Sequence, residues 1–185
     1  MQTNKCVMIA LLMLGFITSK GQIINYSASY GIVYPEIQFA FEAQSQKIDR
    51  LSSGLKWKWS KSAFKGLFVE GFGRLYMSSE SKSDSQNDHI YLQGKVGYAA
   101  IKQKGDAIFS IKDQNYYTYL TGIGIGNKFL WFEKVTFDVY LGYNYIKAPV
   151  FNTLNTNYNQ ISSSNWKTTI GFPLDFQWSL GFIID

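Results

Sequence analysis

The sequence has 185 residues, with 17% aromatic side chains, 16 glycines and only 3 prolines. Aromatic residues favour strands, so this composition indicates a β-rich chain of a length that suits one domain. The formal net charge is only +5, and this mild excess does not indicate binding to nucleic acid.

The first 21 residues have the pattern of a secretory signal peptide. Lys5 supplies the positive charge, an uncharged and largely apolar run follows at 7–18, and small residues precede the cleavage point. The run is shorter than the roughly 20 residues that a membrane-spanning helix needs. We expect removal of 1–21, which takes away the only cysteine, Cys6, and lowers the net charge from +5 to +3 because two lysines and no acidic residue are lost.

The remainder, 22–185, shows several segments in which apolar and polar residues alternate. In chain order, seven clear segments are 36–44, 51–60, 67–76, 90–98, 117–129, 135–146 and 174–185. A shorter and weaker segment, 106–112, brings the count to eight. Residues 23–34 fit either a leader or a strand of its own that ends at Pro35, so ten strands remain possible. No later run of about 18 apolar residues occurs, which excludes a helical membrane protein.

The alternation is clearest between residues 135 and 146. One face carries apolar residues: Val135, Phe137, Val139, Leu141, Tyr143 and Tyr145. The other face is mostly polar or small: Thr136, Asp138, Tyr140, Gly142, Asn144 and Ile146. Successive side chains of a strand point to opposite faces. The segment is also about the length of a tilted strand that crosses a bilayer, roughly 9 to 11 residues.

The polar faces distinguish two kinds of β-protein. A soluble barrel or sandwich turns its apolar faces inward, whereas an outer-membrane barrel turns them toward lipid and its polar faces inward. Here the polar faces mix both charges with glycines such as Gly122, Gly124 and Gly126, which suits a crowded interior rather than a solvated surface. These small residues are expected to make room across the lumen for Phe68, Phe72, Tyr76 or Arg74. We therefore predict a single antiparallel up-and-down transmembrane β-barrel of about eight strands. We expect a paired polar network in its lumen, formed by Glu70, Arg74, Lys95, Lys128 and Asp138.

Connection lengths predict how the barrel sits in its membrane, since short turns are periplasmic and longer loops are external. With the last strand running inward, the short connections 61–65, 103–105 and 131–134 are predicted to be periplasmic. The connections predicted to be external are 44–50, 78–88, 113–115 and 149–173. The longest of these, 149–173, is the best candidate surface for an unknown partner, with Phe151, Tyr158 and Trp166 as contact residues.

Three blocks of sequence resemble a known family. They are 65–76 (KGLFVEGFGRLY), 122–128 (GIGIGNK) and 136–143 (TFDVYLGY), and their order is similar to that in a group of small outer-membrane barrels of unknown function common in Bacteroidota. The resemblance covers roughly residues 50 to 185. It implies a barrel fold, an outer-membrane location, and contact with outer-membrane lipid and with the barrel-assembly machinery during biogenesis. It implies no reaction.

No catalytic or metal-binding constellation stands out in the sequence. His89 is the only histidine, and a zinc site or a Ser/His pair needs further oriented partners. Asp84, Asn87 and Asp88 lack the spacing of a calcium loop. We therefore predict no catalytic residue, no metal and no cofactor.

The predicted function is that of a non-enzymatic outer-membrane barrel with a structural or loop-presenting role in the envelope. Two alternatives remain. A lipid-modifying barrel enzyme would need His89 in a Ser/His pair at the membrane boundary. A secreted soluble barrel that binds a lipophilic ligand would have apolar residues inside. A pore is less favoured, since about eight strands leave an interior just wide enough for side chains.

Overall fold

The protein forms a closed antiparallel barrel of eight strands in the computed structural model. The structure describes residues 23–31, 36–44, 50–61, 64–77, 88–105, 112–131, 134–151, 156–168, 170 and 172–184. The predicted signal segment, 1–21, lies outside these residues. In the part that is described, no helix is both long and apolar enough to span a membrane.

Each strand pairs with the strands before and after it, and the first pairs with the last. The strands are β1 (Ile23–Gly31), β2 (Glu36–Gln44), β3 (Leu51–Lys61), β4 (Phe64–Met77), β5 (Asp88–Gln103), β6 (Gln114–Trp131), β7 (Val135–Ile146) and β8 (Leu174–Ile184). One helix, α1 (Thr156–Thr168), lies between β7 and β8. The predicted up-and-down barrel is therefore confirmed.

The two faces of each strand differ as the sequence pattern predicts, and the polar face is the inner one. In β4, Glu70 and Arg74 are buried, whereas Leu67 and Leu75 are 38% and 46% exposed. The outer surface is rich in large exposed apolar and aromatic side chains, including Val96, Tyr98, Tyr117, Ile123, Tyr143 and Phe182. A soluble barrel with an apolar ligand cavity requires the reverse arrangement, which the described strands do not have.

The strand count of eight is right, but one predicted strand is wrong. Gln103 at the end of β5 pairs directly with Gln114 at the start of β6, so the segment 106–112 lies in the connection between them. Its residues 106–111 are outside the described part of the chain. A segment of this length is too short to cross a bilayer. The eighth strand is instead β1, which pairs with both β2 and β8 and closes the barrel.

The barrel has two ends. The helix end is where the connections 32–35, 62–63, 104–113 and 147–173 join their strands. The termini end is where β1 begins and β8 ends, and it has the connections 45–50, 78–87 and 132–134.

The predicted grouping of connections needs correction. The connections 61–65 and 103–105 lie at the same end as 149–173, whereas 44–50 and 78–88 lie at the opposite end with 131–134. The cause is the misassigned strand. Each antiparallel strand reverses the chain direction, so a strand counted at 106–112 instead of at 23–31 exchanges the ends of the connections between them.

Candidate functional site

The lumen contains two groups of ionic side chains, of which the first lies toward the termini end. We call it the arginine cluster: Glu42, Arg74, Lys128 and Asp138. Arg74 places Nη1 3.0 Å from Glu42 Oε2 and Nη2 2.8 Å from Asp138 Oδ2. Lys128 Nζ lies 2.5 Å from the same Glu42 oxygen. Two cations therefore face two carboxylates, and all four side chains are buried.

Tyrosine hydroxyls from β4 and β5 complete the arginine cluster. The Tyr91 hydroxyl donates to Asp138 Oδ1 at 2.5 Å, and the Tyr76 hydroxyl donates to Glu42 Oε1 at 2.7 Å. The guanidinium carbon of Arg74 lies 4.2 Å from the centroid of the Tyr91 ring, a distance at which cation and ring attract. Because each carboxylate already has both a cation and a hydroxyl partner, the cluster suits structural support rather than proton transfer.

The second group, the lysine cluster, lies nearer the helix end and consists of Lys56, Lys58, Glu70, Lys95 and Asp175. Lys58 Nζ is 2.6 Å from Glu70 Oε1, and Lys95 Nζ is 3.6 Å from Glu70 Oε2. Lys95 also forms an ion pair with Asp175. Lys95 thus links two carboxylates that come from β4 and β8, on different sides of the lumen.

The five residues predicted for the lumen network all lie in these two clusters. Glu70 and Lys95 belong to the lysine cluster, whereas Arg74, Lys128 and Asp138 belong to the arginine cluster. Other members of the two clusters were not predicted as part of the network: Glu42, Lys56, Lys58 and Asp175, together with the tyrosines at 76 and 91. The same signal could have found them, since each has the inward parity of its strand.

The glycines predicted to make room inside the barrel do so for different neighbours than expected. A Cβ atom at Gly126 would collide with the ring of Tyr91, and one at Gly122 would collide with the side-chain oxygen of Asn144. The expected neighbours were phenylalanines, a tyrosine and the arginine of β4. The small residues of β6 therefore allow side chains from β5 and β7 to pack across its inner face.

Helix α1 covers the mouth of the barrel at the helix end. An apolar layer joins this part of the chain to the barrel, formed by Phe64, Phe68, Ala99, Ile101, Leu120, Trp166 and Ile170. The ring of Trp166 meets that of Phe64 edge-on, with centroids 5.4 Å apart. Gln103 Nε2 donates to Ser162 Oγ at 2.7 Å, and the Tyr158 hydroxyl donates to the Lys104 carbonyl at 3.3 Å. These contacts fix one face of α1 to the barrel.

The predicted partner contacts Tyr158 and Trp166 need correction, because both side chains are buried against the barrel. Phe151 is half-buried, with its ring centroid 6.1 Å from that of Phe64. The aromatic residues of this connection cover the apolar mouth, where their burial is favourable. The exposed positions of α1 are Thr156, Asn157, Gln160, Ile161, Ser164, Asn165 and Lys167.

A cavity of about 50 Å³ lies between the apolar layer and the lysine cluster. Lys58, Glu70, Asn144 and Asp175 contribute polar groups to its wall, and Ile170 contributes an apolar one. Asn144 Oδ1 is buried and has no hydrogen-bond partner within the described ranges. A polar space of this size suits ordered water and is far smaller than a typical ligand pocket.

The remaining candidates for chemistry lie at the termini end. The side chain of His89 is exposed and meets the ring of Tyr76 edge-on, with centroids 6.1 Å apart. The serines between 78 and 85, together with Asp84 and Asn87, lie outside the described residues. Among those that the structure does describe, no group of three or more His, Cys, Asp or Glu side chains is placed to hold a metal ion.

Comparison with protein families and with curated proteins gives no match. Solved structures do match. The N-terminal β-barrel domain of OprF from Pseudomonas aeruginosa superposes with a TM-score of 0.57 at 10% identity, over 88% of this chain and 96% of that one. Neisserial surface protein A superposes with a TM-score of 0.52 at 11% identity, over 88% and 93%. The chain has the transmembrane β-barrel fold. At these identities the likeness extends to the fold alone.

Proposed function

We propose that this protein is an integral outer-membrane β-barrel with a structural or loop-presenting role in the bacterial envelope and no enzymatic activity. One observation carries the proposal: the charged side chains of the two clusters lie inside the barrel, and large apolar side chains are exposed over its outer surface. Water would disfavour such an exterior, whereas the hydrocarbon of a bilayer accommodates it. Insertion by the barrel-assembly machinery after removal of 1–21 belongs to the same proposal.

The filled lumen supports a scaffold rather than a channel. The arginine and lysine clusters span the interior with paired charges, and α1 covers the mouth above them. An eight-stranded barrel leaves little more room than these side chains need. A rigid plug of this kind would hold the barrel in one shape while its outer connections contact other molecules.

The orientation follows from the connections. The longest one, 147–173, is at the helix end, and both ends of the strand sequence are at the other. External loops of such barrels are generally longer than periplasmic turns. We propose that the helix end faces the exterior and the termini end faces the periplasm, with α1 as the presented surface.

The outward face of α1 is the part that a partner would meet. Gln160, Ile161 and Asn165 are exposed there, while Trp166 and Ser162 hold the opposite face on the barrel. The helix therefore offers a mainly polar surface of fixed position. Complementary polar contacts, rather than the aromatic contacts first predicted, would give a partner its specificity.

Cysteine labelling of intact cells tests this orientation. Gln160→Cys adds a thiol to the exposed face of α1, and Lys134→Cys adds one at the exposed termini end. A membrane-impermeant maleimide should label Gln160→Cys on intact cells and Lys134→Cys only after the envelope is opened, with the unsubstituted protein as the blank. Labelling of Lys134→Cys alone on intact cells would contradict the proposed orientation.

A further inference from the structure

Two lysines oppose each other at the helix end of the barrel. Lys65 of β4 is the register partner of Lys102 of β5, and both side chains are exposed. Directly opposed side chains have Cβ atoms roughly 4.5–5.5 Å apart, and like charges there destabilise the strand pairing. Lys61 of β3 is the partner of Lys65 on the other side. Lys65 and Lys102 thus place two like charges side by side, and an anion between them would relieve their repulsion.

Among the side chains that the structure describes, one carboxylate pairs with one of these two lysines. Lys102 Nζ lies 2.7 Å from Asp113 Oδ2, whereas Lys65 forms no ion pair with any residue that the structure describes. The Lys102 side chain and the Gly105 N–H hold the pKa of Asp113 below its usual value, so this carboxylate remains ionised at neutral pH. It is one anion beside several cations.

The imbalance extends over the whole helix end. Six exposed lysines are described there: Lys65, Lys102, Lys104, Lys112, Lys147 and Lys167. Among the acidic residues at this end whose side chains the structure describes, Asp113 is the exposed one. The pair of Lys65 and Lys102 therefore lies within a rim whose described side chains are mostly basic.

The lysine pair also borders the apolar outer surface. One step toward the middle of the barrel, Leu67 is the register partner of both Trp59 and Ala100. Leu67, Trp59 and the nearby Tyr117 are 38%, 47% and 68% exposed. Aromatic side chains at the edge of an apolar band mark the interface between hydrocarbon and headgroups. Lys65 and Lys102 thus lie at the depth of the headgroups.

We propose that Lys65 and Lys102 bind the phosphate of an anionic membrane lipid. The inference rests on the proposed function, because it requires the barrel to be in a membrane. A lysine ammonium binds phosphate as a compact point charge with three donors, and one phosphate between the two side chains relieves their repulsion. The acyl chains of the same lipid would lie along Leu67 and Trp59, which a soluble anion could not exploit.

The test compares lipid binding by the folded barrel and by two matched variants. Phosphatidylglycerol, or phosphatidylcholine with the same acyl chains, is titrated into the detergent-folded protein, and native mass spectrometry counts the bound lipid. Lys65→Gln/Lys102→Gln should weaken phosphatidylglycerol binding roughly ten- to thirty-fold, toward the phosphatidylcholine value. Arg50→Gln/Lys134→Gln removes the same charge at the termini end and should leave the tightest site unchanged. An equal preference for phosphatidylglycerol in both variants would overturn the proposal.

Two further arms separate the lipid site from simpler explanations. Asp113→Asn keeps an oxygen for the Gly105 N–H but removes the competing charge, so it should strengthen phosphatidylglycerol binding. Weaker binding would overturn the role of Lys102 as a direct ligand of the lipid phosphate. Inorganic phosphate at equal concentration should not displace the lipid, and displacement would overturn the lipid assignment in favour of a soluble anion.

The outcomes for this inference and for the proposed function are distinguishable. Each variant is first checked for folding by the heat-dependent shift of its gel mobility, and the protein is also refolded into bilayers of phosphatidylcholine with and without phosphatidylglycerol. A chain that folds in neither bilayer contradicts the proposed outer-membrane function. A chain that folds in both but binds the two lipids equally contradicts only the phosphate site.

Discussion

At the scale of single residues, Arg74 has three polar side-chain partners in the lumen. It contacts Glu42 at 3.0 Å and Asp138 at 2.8 Å, and its Nε donates to Gln93 Oε1 at 2.8 Å. A planar guanidinium can satisfy several acceptors at once, which a lysine ammonium does less well. Arg74 therefore joins β2, β5 and β7 to its own strand, and the loss of its side chain affects the whole arginine cluster.

Arg74→Ala should lower the free energy of unfolding by about 3–5 kcal/mol, because it removes the cation that pairs with the buried Asp138 and one of the two that pair with Glu42. Urea unfolding in lipid vesicles, followed by tryptophan fluorescence, measures the change. Arg50→Ala, at an exposed position of the same residue type, is the control and should change the value by less than about 0.5 kcal/mol. Equal effects of the two substitutions would contradict a stabilising lumen network.

The inward parity of charged residues could be predicted from sequence, whereas their partners could not. Lys128 and Asp138 are register neighbours, yet Lys128 binds Glu42 and Asp138 binds Arg74. In the same way, Lys56 is the register neighbour of Glu70, but Lys58 forms the closer ion pair. Alternation fixes the face of a residue, but long side chains in a closed lumen reach across it, and the distances across depend on closure.

At the scale of elements, α1 owes its position to the barrel rather than to its own sequence. It is a short helix with no acidic residue in its first turn, although Lys167 in the last turn suits the helix dipole. An isolated helix of this length is marginal in water. Burial of Trp166, Tyr158 and Ser162 on the mouth of the barrel supplies the stability that local propensity lacks.

Trp166→Ala should release α1 while the barrel stays folded, because removal of a buried tryptophan costs about 3–5 kcal/mol, more than a marginal helix can lose. Limited proteolysis should then cut within 147–173 much faster than in the unsubstituted protein and leave a heat-modifiable barrel. Ile161→Ala, at a position of the same helix that is 49% exposed, is the matched control. Resistance of Trp166→Ala equal to that of Ile161→Ala would contradict the capping role.

Local pattern explains which elements were predicted and which were not. The strongest alternation, at β7, gave the observed bounds, Val135–Ile146. By contrast, 106–112 alternates in sequence but is too short to span a membrane, and β1 has a weaker pattern that only its two neighbours make into a strand. Helix α1 was missed because its polar composition resembles that of a loop. Which of its residues are buried also depends on the apolar mouth of the barrel, which the local sequence does not show.

At the scale of the whole molecule, closure of the barrel determines strand partners and the ends at which the connections lie, and a linear sequence pattern does not. The pairing of β1 with β8 removes both sheet edges and so leaves no unpaired strand for aggregation. It also fixes which connections share an end. If one strand is misplaced, the connections between its true and its assigned position are given to the wrong end. The apolar exterior and charged interior, in contrast, follow directly from composition and alternation, which is why the fold class was predicted correctly.

The two ends of the closed barrel differ in charge. The described side chains of the helix end are mostly basic, whereas the sequence of the termini-end connections mixes both charges: Lys47, Arg50, Lys82 and Lys134 with Asp49, Glu80, Asp84 and Glu133. Such a difference matches the proposed asymmetry of function, in which one end meets lipid phosphates and partners. Both proposed roles require the outer surface of the barrel to face lipid.

Fractionation of a Gram-negative host that expresses the full chain tests this claim most directly, when it is followed by gel electrophoresis in detergent with and without boiling. We expect the protein in the outer-membrane fraction, with a mobility that changes on boiling because the closed barrel resists detergent until it is heated. Recovery as a soluble periplasmic or extracellular protein, with one mobility under both conditions, would contradict a lipid-facing exterior.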